Sequence, residues 1–258
     1  MIAATTKIER DGAVATVIVD RPDAMNALDV STLTELRDRL AALGADEEVR
    51  VVVLTGAGER AFIAGADIKA MSAMDADEAR AWGELGHEVA QLLETMPKPT
   101  LAAINGFALG GGCELAAACD IRYASSKAKL GQPEINLGII PGWGGTQRLA
   151  RLCGLGFAKE LILTGRIVDA QEALAHGLVD GIHDPVLDKA LETARTLAAK
   201  APLALAAAKR AINHALQGDH VANLEREYTE FGGLFASEDA KEGLAAFIEK
   251  REPTFSGR

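Results

Sequence analysis

A glycine run between an apolar strand and a helix constrains this chain more than any other feature. The stretch Asn105–Asp120 has the sequence NGFALGGGCELAAACD, with Gly110–Gly112 at its centre. The residues before it predict a strand that ends at Ile104, and those from Cys113 onward predict a helix. Glycine permits close approach of the backbone, and the first N–H groups of a helix are unpaired at the positive end of its dipole. The turn therefore suits a ligand that is, or becomes, negative, and Glu114 would place a carboxylate beside it.

The composition predicts a globular protein with one large domain or slightly more. The 258 residues are 48% apolar and 25% charged, which is enough for a sizeable aliphatic core. A formal net charge of −10 and an aromatic content of only 4% disfavour nucleic acid and anionic membranes as partners. An anionic ligand would have to be held by backbone donors and a few local cations.

The cysteines and the N-terminal residues predict an unprocessed cytoplasmic protein. Cys113, Cys119 and Cys153 are odd in number and lack CxxC spacing, so we expect buried, reduced thiols. The first residues, MIAATTK, lack the basic and apolar regions of a secretory leader, and no apolar run reaches the roughly 18 residues of a membrane span. The histidines are scattered without metal-ligand spacing, and we expect neither a metal nor a redox cofactor.

The first half of the chain predicts strands alternating with helices. Two strand-like runs, Lys7–Arg10 and Ala13–Val19, are separated by Asp11-Gly12, which is a strong hairpin signal. The remaining elements predicted from apolar periodicity are a helix containing Leu33–Leu43 and ending before Gly44, a buried strand over Val49–Thr55, an extended piece at Phe62–Gly65, a helix over Trp82–Met96 that ends at Pro97, a strand over Thr100–Ile104, a helix over Cys113–Cys119 and a strand over Ile121–Ala124.

A possible dinucleotide fingerprint follows the strand at Val49–Thr55. Gly56–Ala61 matches GxGxxA, but the fingerprint requires a helix that opens at the last small residue. Here Ala61 continues into the extended piece at Phe62–Gly65, so we do not assign a nucleotide site.

The second half predicts a functional loop and then helices. Lys129–Gly145 is rich in glycine and proline, which is typical of a functional loop. The last strand signal is at Val179–Ile182, and a boundary between an α/β core and a helical tail is predicted near Lys200–Pro202. The predicted helices are Thr146–Leu152, Phe157–Leu163, Ala170–Ala175, Val186–Ala199, Leu203–Leu216, Val221–Phe235 and Asp239–Glu249.

Three stretches, taken together and in order, resemble the enoyl-CoA hydratase (crotonase) family: Ala64–Lys69 (AGADIK), Gly110–Glu114 (GGGCE) and Gly131–Glu134 (GQPE). The motifs PGWGGTQRL, LTG and FIEKR extend the resemblance over nearly the whole chain. It implies an α/β fold, the ClpP/crotonase-like spiral of strand–strand–helix units over residues 1–200, and a helical trimerisation region over residues 201–258. Two stacked trimers forming a hexamer is the assembly that the family implies.

The resemblance also implies a reaction, the reversible addition of water to trans-2-enoyl-CoA, as in fatty-acid β-oxidation. The thioester oxygen would be held by the backbone N–H groups of Ala66 and Gly111, which form an oxyanion hole. Glu114 and Glu134 match the two catalytic glutamates, and the assignment of acid and base between them stays open. Two carboxylates around one water should not both ionise readily, so we expect one raised pKa. Coenzyme A is part of the substrate, and no separate cofactor is expected.

Further residues are implied to contact the acyl-CoA. They are Ala64, Asp67, Ile68 and Lys69 after the extended piece, Lys250 from the tail of a neighbouring subunit, and Gly142 and Trp143 beside the acyl chain. Arg60 is a weaker candidate for the phosphates. A bulky indole at Trp143 suggests a short acyl chain.

Two other functions remain open at this point. An enoyl-CoA isomerase or another crotonase-fold lyase often keeps the oxyanion hole but only one of the two acids, whereas both Glu114 and Glu134 are present here. A non-catalytic protein of the same fold that binds, for example, RNA is disfavoured by the acidic charge and the scarcity of aromatic residues.

Overall fold

The computed structural model describes residues 4–215 and 217–258. Residues 1–3 and the last residue of the helix predicted over Leu203–Leu216 lie outside the described residues. None of the helices in the described part of the chain has the length and apolarity that a membrane span requires.

Within the described residues, ten strands form two sheets. They are β1 Thr6–Asp11, β2 Val14–Val19, β3 Val51–Gly56, β4 Ala61–Ile63, β5 Thr100–Ile104, β6 Phe107–Leu109, β7 Ile121–Ala124, β8 Lys129–Gly131, β9 Ile167–Asp169 and β10 Gly181–Ile182. One sheet has six strands in the order β1-β2-β3-β5-β7-β10, and the other has four in the order β4-β6-β8-β9. The predicted hairpin is confirmed, because β1 and β2 pair antiparallel with Asp11 opposite Val14.

Ten α-helices accompany the strands in the described residues. They are α1 Val30–Ala45, α2 Ile68–Met71, α3 Ala76–Thr95, α4 Gly111–Ala118, α5 Gly145–Thr164, α6 Ala170–Ala175, α7 Val186–Ala198, α8 Pro202–Asn213, α9 His220–Leu234 and α10 Glu238–Glu249. In the described part of the chain no strand follows Ile182, and the last three helices form the tail.

The two sheets are built by successive strand pairs. β3 and β4, β5 and β6, and β7 and β8 each contribute one strand to the large sheet and the next to the small sheet. Helices follow these pairs, so the chain winds as the predicted spiral of strand–strand–helix units. Strands β3, β5 and β7 run parallel in the large sheet, and β4, β6 and β8 run parallel in the small sheet. The connections that follow β4 and β6 therefore lie at the same edge of the small sheet.

The strand before the glycine run was predicted incorrectly. We expected the strand ending at Ile104 to lead into the glycines, but β6 of the small sheet intervenes. The connection is tight, since a Cβ on Gly106 would overlap the carbonyl of Arg60. The helix also begins at Gly111 and not at Cys113.

Several other boundaries differ from the sequence prediction. Lys129–Gly145 is not wholly a loop, because it contains β8 and a short 3₁₀ helix at Pro133–Leu137. Gly44 lies inside α1, and β9 was not predicted. The two helices predicted on either side of Gly154 are confirmed, because α5 consists of two helical segments that meet at a kink at Gly154, where φ is 79°.

The thiols follow the prediction in part. Among the described residues Cys113 and Cys119 are free and buried, whereas Cys153 is free but only half-buried, so the expectation of burial is wrong for that residue. Cys119 caps the C-terminus of α4 and does not belong to the helix.

Helix α4 occupies the centre of the molecule. All eight of its residues are buried. It packs against α3 and α5 and against the small sheet, while α7 covers the opposite face of the large sheet. A helix enclosed in this way must have small or apolar side chains on every face, and its sequence GGCELAAA has Glu114 as the exception.

Candidate active site

Two backbone N–H groups at the start of α4 and after β4 have no partner. Among the described residues neither the N–H of Ala66 nor that of Gly111 donates a hydrogen bond within the chain. Gly111 is the first residue of α4, so its N–H belongs to the unpaired set at a helix N-terminus. The segments adjoin, because a Cβ on Gly110 would lie 3.9 Å from the Cα of Gly65. Two unpaired donors on neighbouring segments can hold one oxygen that becomes negative.

Glycine is required at the turn that presents these donors. Gly110 has φ +50°, and a Cβ at this position would lie 2.9 Å from Oε1 of Glu134. At Gly112 a Cβ would overlap the carbonyl oxygen of Ile63 in β4. The helix can therefore lie directly on β4 only because these positions lack side chains.

Glu114 is held at the buried end of the site. Its side chain is 1% exposed, and its Oε1 accepts hydrogen bonds from the backbone N–H of Trp143 at 2.8 Å and of Gly145 at 2.7 Å. These N–H groups hold one carboxylate oxygen and leave Oε2 available for another partner. Burial raises the pKa of Glu114, while the two hydrogen bonds and the charge of Arg148 oppose the shift.

Glu134 lies on the other side of the same turn. It belongs to the 3₁₀ helix after β8 and points its carboxylate at Gly110. Burial, together with the nearby charge of Glu114, raises the pKa of Glu134 to about 7. The sequence predicted one raised pKa in this pair, whereas burial raises the pKa of both glutamates.

The structure brings Glu114 and Glu134 together around Gln132 and Gly145. In the amide orientation that satisfies its neighbours, the nitrogen of Gln132 donates to the two carboxylate oxygens of Glu134 at 2.9 and 3.1 Å. A Cβ on Gly145 would lie 2.7 Å from that amide and 3.0 Å from Oε1 of Glu114. One water between the two carboxylates would have an acceptor and a donor within reach.

Four residues predicted to contact coenzyme A lie on the segment that follows β4. Ala64 donates its N–H to the carbonyl of Met25 at 3.1 Å. The side chain of Asp67 makes interactions within the fold. It accepts a hydrogen bond from the N–H of Lys69 at 3.1 Å and forms a salt bridge with Arg21 at 3.3 Å. Ile68 is exposed.

The predicted phosphate-binding cations are exposed. Lys69 lies in α2, Lys250 caps α10, and Arg60 precedes β4. None of the three forms a salt bridge with a described residue. Of the two residues predicted beside the acyl chain, Gly142 is exposed, whereas Trp143 is only 5% exposed and packs inside the molecule.

Sequence reasoning missed three residues that organise the site. Gln132 is fully buried, and although GQPE was noted as a motif, nothing in it indicated that the amide would face Glu134. Arg148 donates to the carbonyl of Trp143 at 2.9 Å and pairs with Glu94 at 2.6 Å. Asn26, also fully buried, donates to the carbonyl of Ala61 at 2.8 Å and so holds β4.

Comparison with known proteins identifies the family. The family model described as enoyl-CoA hydratase/isomerase matches residues 9–258. The chain belongs to the enoyl-CoA hydratase/isomerase family. It is 49% identical to a short-chain-enoyl-CoA hydratase of Clostridium acetobutylicum over 95% of both chains. It is 46% identical to a crotonyl-CoA hydratase of Syntrophomonas wolfei over 96% of both.

A solved structure of the family supports the same conclusion. The enoyl-CoA hydratase of Bacillus anthracis is 42% identical, covers 98% of this chain and 100% of its own, and superposes with a TM-score of 0.95. The expected α/β crotonase spiral with a helical tail is therefore confirmed.

Proposed function

We propose that this member of the enoyl-CoA hydratase/isomerase family hydrates short trans-2-enoyl-CoA thioesters to 3-hydroxyacyl-CoA. The observation that carries the proposal is the convergence of Glu114 and Glu134 beside the unpaired N–H groups of Ala66, after β4, and Gly111, at the start of α4. The names of the two relatives, short-chain-enoyl-CoA hydratase and crotonyl-CoA hydratase, support the same reaction. Coenzyme A enters as part of the substrate, and we propose no separate cofactor.

The N–H groups of Ala66 and Gly111 receive the thioester oxygen. Addition at C3 moves electrons onto that oxygen, and the two donors stabilise it most when it is an enolate. The dipole of α4 adds to this at Gly111, the first residue of the helix. Losing one donor of this kind costs about 2.7–4 kcal/mol of transition-state stabilisation in other enzymes.

The two glutamates take different roles because their surroundings differ. Two N–H groups fix one oxygen of Glu114 and oppose the burial that raises its pKa, and its free oxygen accepts the proton of the attacking water. Water oxygen bonds to C3 as this proton leaves. Glu134, with a pKa of about 7, delivers a proton to C2 and becomes ionised. Exchange of one proton from Glu114 to Glu134 restores the pair.

The coenzyme A moiety leaves the site along the segment after β4. We propose that Ala64, Asp67, Ile68 and Lys69 contact it through backbone groups, apolar surface and one ammonium charge. Lys250 of a neighbouring subunit would reach the phosphates. The acyl chain extends the other way, beside Gly142 and Trp143.

We propose that the tail, residues 201–258, joins three subunits and that two trimers form a hexamer. The support is the apolar surface of α9 and α10, on which large apolar side chains are 46–84% exposed in one chain. The three free thiols suit a reducing compartment such as the cytoplasm.

Separate substitutions Glu114→Gln and Glu134→Gln test the reaction. Each removes one acid–base group while preserving shape, so kcat for crotonyl-CoA should fall by about 10²–10⁴-fold. The loss of conjugated enoyl-thioester absorbance measures the rate, and chromatography distinguishes a 3-hydroxyacyl product from a shifted double bond. Near-wild-type turnover by either variant contradicts the two-carboxylate mechanism, and a shifted double bond as the main product identifies an isomerase instead.

A further inference from the structure

The carboxylate of Glu114 is held by the turn that leads into α5, residues 143–145. Both of its backbone hydrogen bonds, from the N–H of Trp143 at 2.8 Å and of Gly145 at 2.7 Å, reach the same oxygen, Oε1. Gly145 is the first residue of α5, so its N–H is one of the donors that the helix itself leaves unpaired. Because the turn fixes one oxygen through two donors, its position decides where the other oxygen of Glu114 lies.

The guanidinium of Arg148 binds the same turn. Its Nη1 donates to the carbonyl of Trp143 at 2.9 Å, so the peptide groups on both sides of that tryptophan are engaged, one by Arg148 and the other by Glu114. Gly144 makes room for this contact, because it has φ +105° and a Cβ there would overlap Nη1 of Arg148. Glycine is therefore required in the turn both by the backbone conformation and by the nearby guanidinium.

The place of Arg148 in the helix needs an electrostatic explanation. It is the fourth residue of α5, and a cation near a helix N-terminus is opposed by the helix dipole. The side chain is also only 12% exposed. Glu94 of α3 compensates for both costs, since its Oε2 accepts from Nε at 3.1 Å and from Nη2 at 2.6 Å. This pairing orients the planar guanidinium and directs Nη1 at the carbonyl of Trp143.

We propose that Arg148, braced by Glu94, is a positioning residue that directs the free oxygen of Glu114 at the water to be added. It acts by holding the turn of residues 143–145, which in turn holds Oε1 of Glu114. This inference rests on the proposed function, in which Glu114 takes a proton from that water. All three nitrogens of the Arg148 guanidinium bind groups of this chain, so its loss should lower kcat and leave KM for crotonyl-CoA nearly unchanged.

The test compares kcat and KM for crotonyl-CoA in the wild type and three variants. Arg148→Met should lower kcat by about 10–100-fold, because a misplacement of about 1 Å in a reacting group costs up to about 100-fold. Arg148→Lys should be intermediate, since an ammonium keeps the charge but lacks the planar fork. Arg151→Met is the matched control, because it removes an exposed arginine from the same helix, and it should leave kcat unchanged.

A double variant tests whether Glu94 acts through Arg148. Glu94→Gln alone should lower kcat less than Arg148→Met does. Combining the two should give an enzyme no slower than Arg148→Met, because the brace then has nothing to hold. Losses that multiply in the double variant overturn the role of Glu94 as a brace.

The remaining outcomes separate this inference from the proposed function. A wild-type kcat in an Arg148→Met variant that circular dichroism shows to be folded overturns the inference, and so does a loss confined to KM. If Arg148→Met does not fold, Glu94→Gln carries the test, and an unchanged kcat in that variant overturns the inference. A folded wild type that does not hydrate crotonyl-CoA overturns the proposed function and this inference with it.

Discussion

Glu114 and Glu134 are chemically identical side chains in different surroundings. Backbone N–H groups from Trp143 and Gly145 hold one oxygen of Glu114, whereas Glu134 faces a glycine turn, the amide of Gln132 and the charge of its partner. Burial raises the pKa of both groups, the two N–H groups oppose that shift at Glu114, and the pKa of Glu134 is raised to about 7. The two carboxyl groups thus differ in their hydrogen-bond partners, which is the basis for the different acid–base roles that we propose for them.

This difference predicts an alkaline limb in the pH dependence of hydration. Below its pKa Glu134 carries the proton that C2 requires, and above it that proton is lost, so kcat/KM should fall as pH rises through about 7. Stopped-flow or steady-state rates on crotonyl-CoA between pH 5.5 and 9 measure the limb. Glu134→Gln is the control, since its residual activity should lack this limb. A wild-type profile that stays flat to pH 9 would contradict the assignment.

The position of α4 depends on the absence of side chains along one edge. Gly112 contacts the carbonyl of Ile63 so closely that no Cβ fits, and Gly111 rests on the indole of Trp143. These contacts fix the helix N-terminus relative to β4 and therefore the separation of the two free N–H groups. The same glycine contacts therefore allow α4 to pack closely on β4 and set the geometry of the proposed oxyanion hole.

Gly112→Ala should therefore destabilise the protein and impair the site. The new Cβ meets backbone, which cannot move aside as a side chain does, so we expect a loss of at least about 2–3 kcal/mol in the free energy of unfolding. Chemical denaturation measures it. Gly156→Ala in α5 is the matched control, because nothing lies within 4 Å of its Cβ, and it should change stability by less than about 1 kcal/mol. Equal effects at both positions would refute the packing argument.

Lys209 is a buried cation that connects helix α8 to the core. Lys209 donates to the carbonyls of Leu93 at 2.9 Å and Lys98 at 3.0 Å, and pairs with Asp120 at 2.8 Å. Burial raises the pKa of Asp120, and Lys209 opposes that shift. The lysine thus ties α8 to the end of α3 and to the strand edge beside Asp120.

Lys209→Met should weaken this attachment in a pH-dependent manner. It leaves the partly buried Asp120 without its cation, and since such a loss costs about 3–5 kcal/mol where the carboxylate is fully buried, we expect a smaller cost here. The pKa of Asp120 is higher in the folded state than in the unfolded chain. Its contribution to the free energy of unfolding is therefore present below the unfolded-state pKa and is lost as the pH rises, so the variant should be least stable above neutral pH. Denaturation at pH 5 and pH 8 measures this, with exposed Arg80→Ala as a control expected to change stability by less than about 1 kcal/mol. An equal loss at both pH values contradicts the explanation.

The tail exposes an apolar stripe that a single chain does not cover. On α9 the stripe recurs every three or four residues, which places its members on one face, and each is 46–68% exposed: Val221, Leu224, Tyr228, Phe231 and Phe235. Phe247 and Ile248 on α10 extend the exposed apolar surface. Surface of this kind is typical of an interface between subunits, which supports the proposed trimer.

Phe231→Glu should therefore shift the assembly toward smaller species. A charge placed in a buried apolar contact lacks a partner, so sedimentation should show a lower mass at a protein concentration where the wild type is a trimer or hexamer. Arg226→Glu, on the opposite face of α9, is the control and should leave the mass unchanged. A wild type that sediments as a monomer would contradict the proposed assembly.

The sequence alone determined the hairpin, the long helices and the family. Aspartate-glycine between alternating runs, and apolar residues at helical spacing, are local signals, and they correctly predicted β1, β2, α1 and α3. The order of the GADIK, GGGCE and GQPE motifs was sufficient to identify the family. The roles assigned from those motifs to Glu114, Glu134, Ala66 and Gly111 stay predictions.

Only the tertiary structure decided the small sheet and the character of the site. Strands of three residues, such as β6 and β9, are too short to show alternation and form because neighbouring strands supply their hydrogen-bond partners. The contact of Gln132 with Glu134, the raised pKa of Glu134 and the burial of Trp143 between Gly86 and Gly111 depend on which segments meet in space. Burial and electrostatic shifts are properties of that convergence, and no local pattern along the chain encodes them.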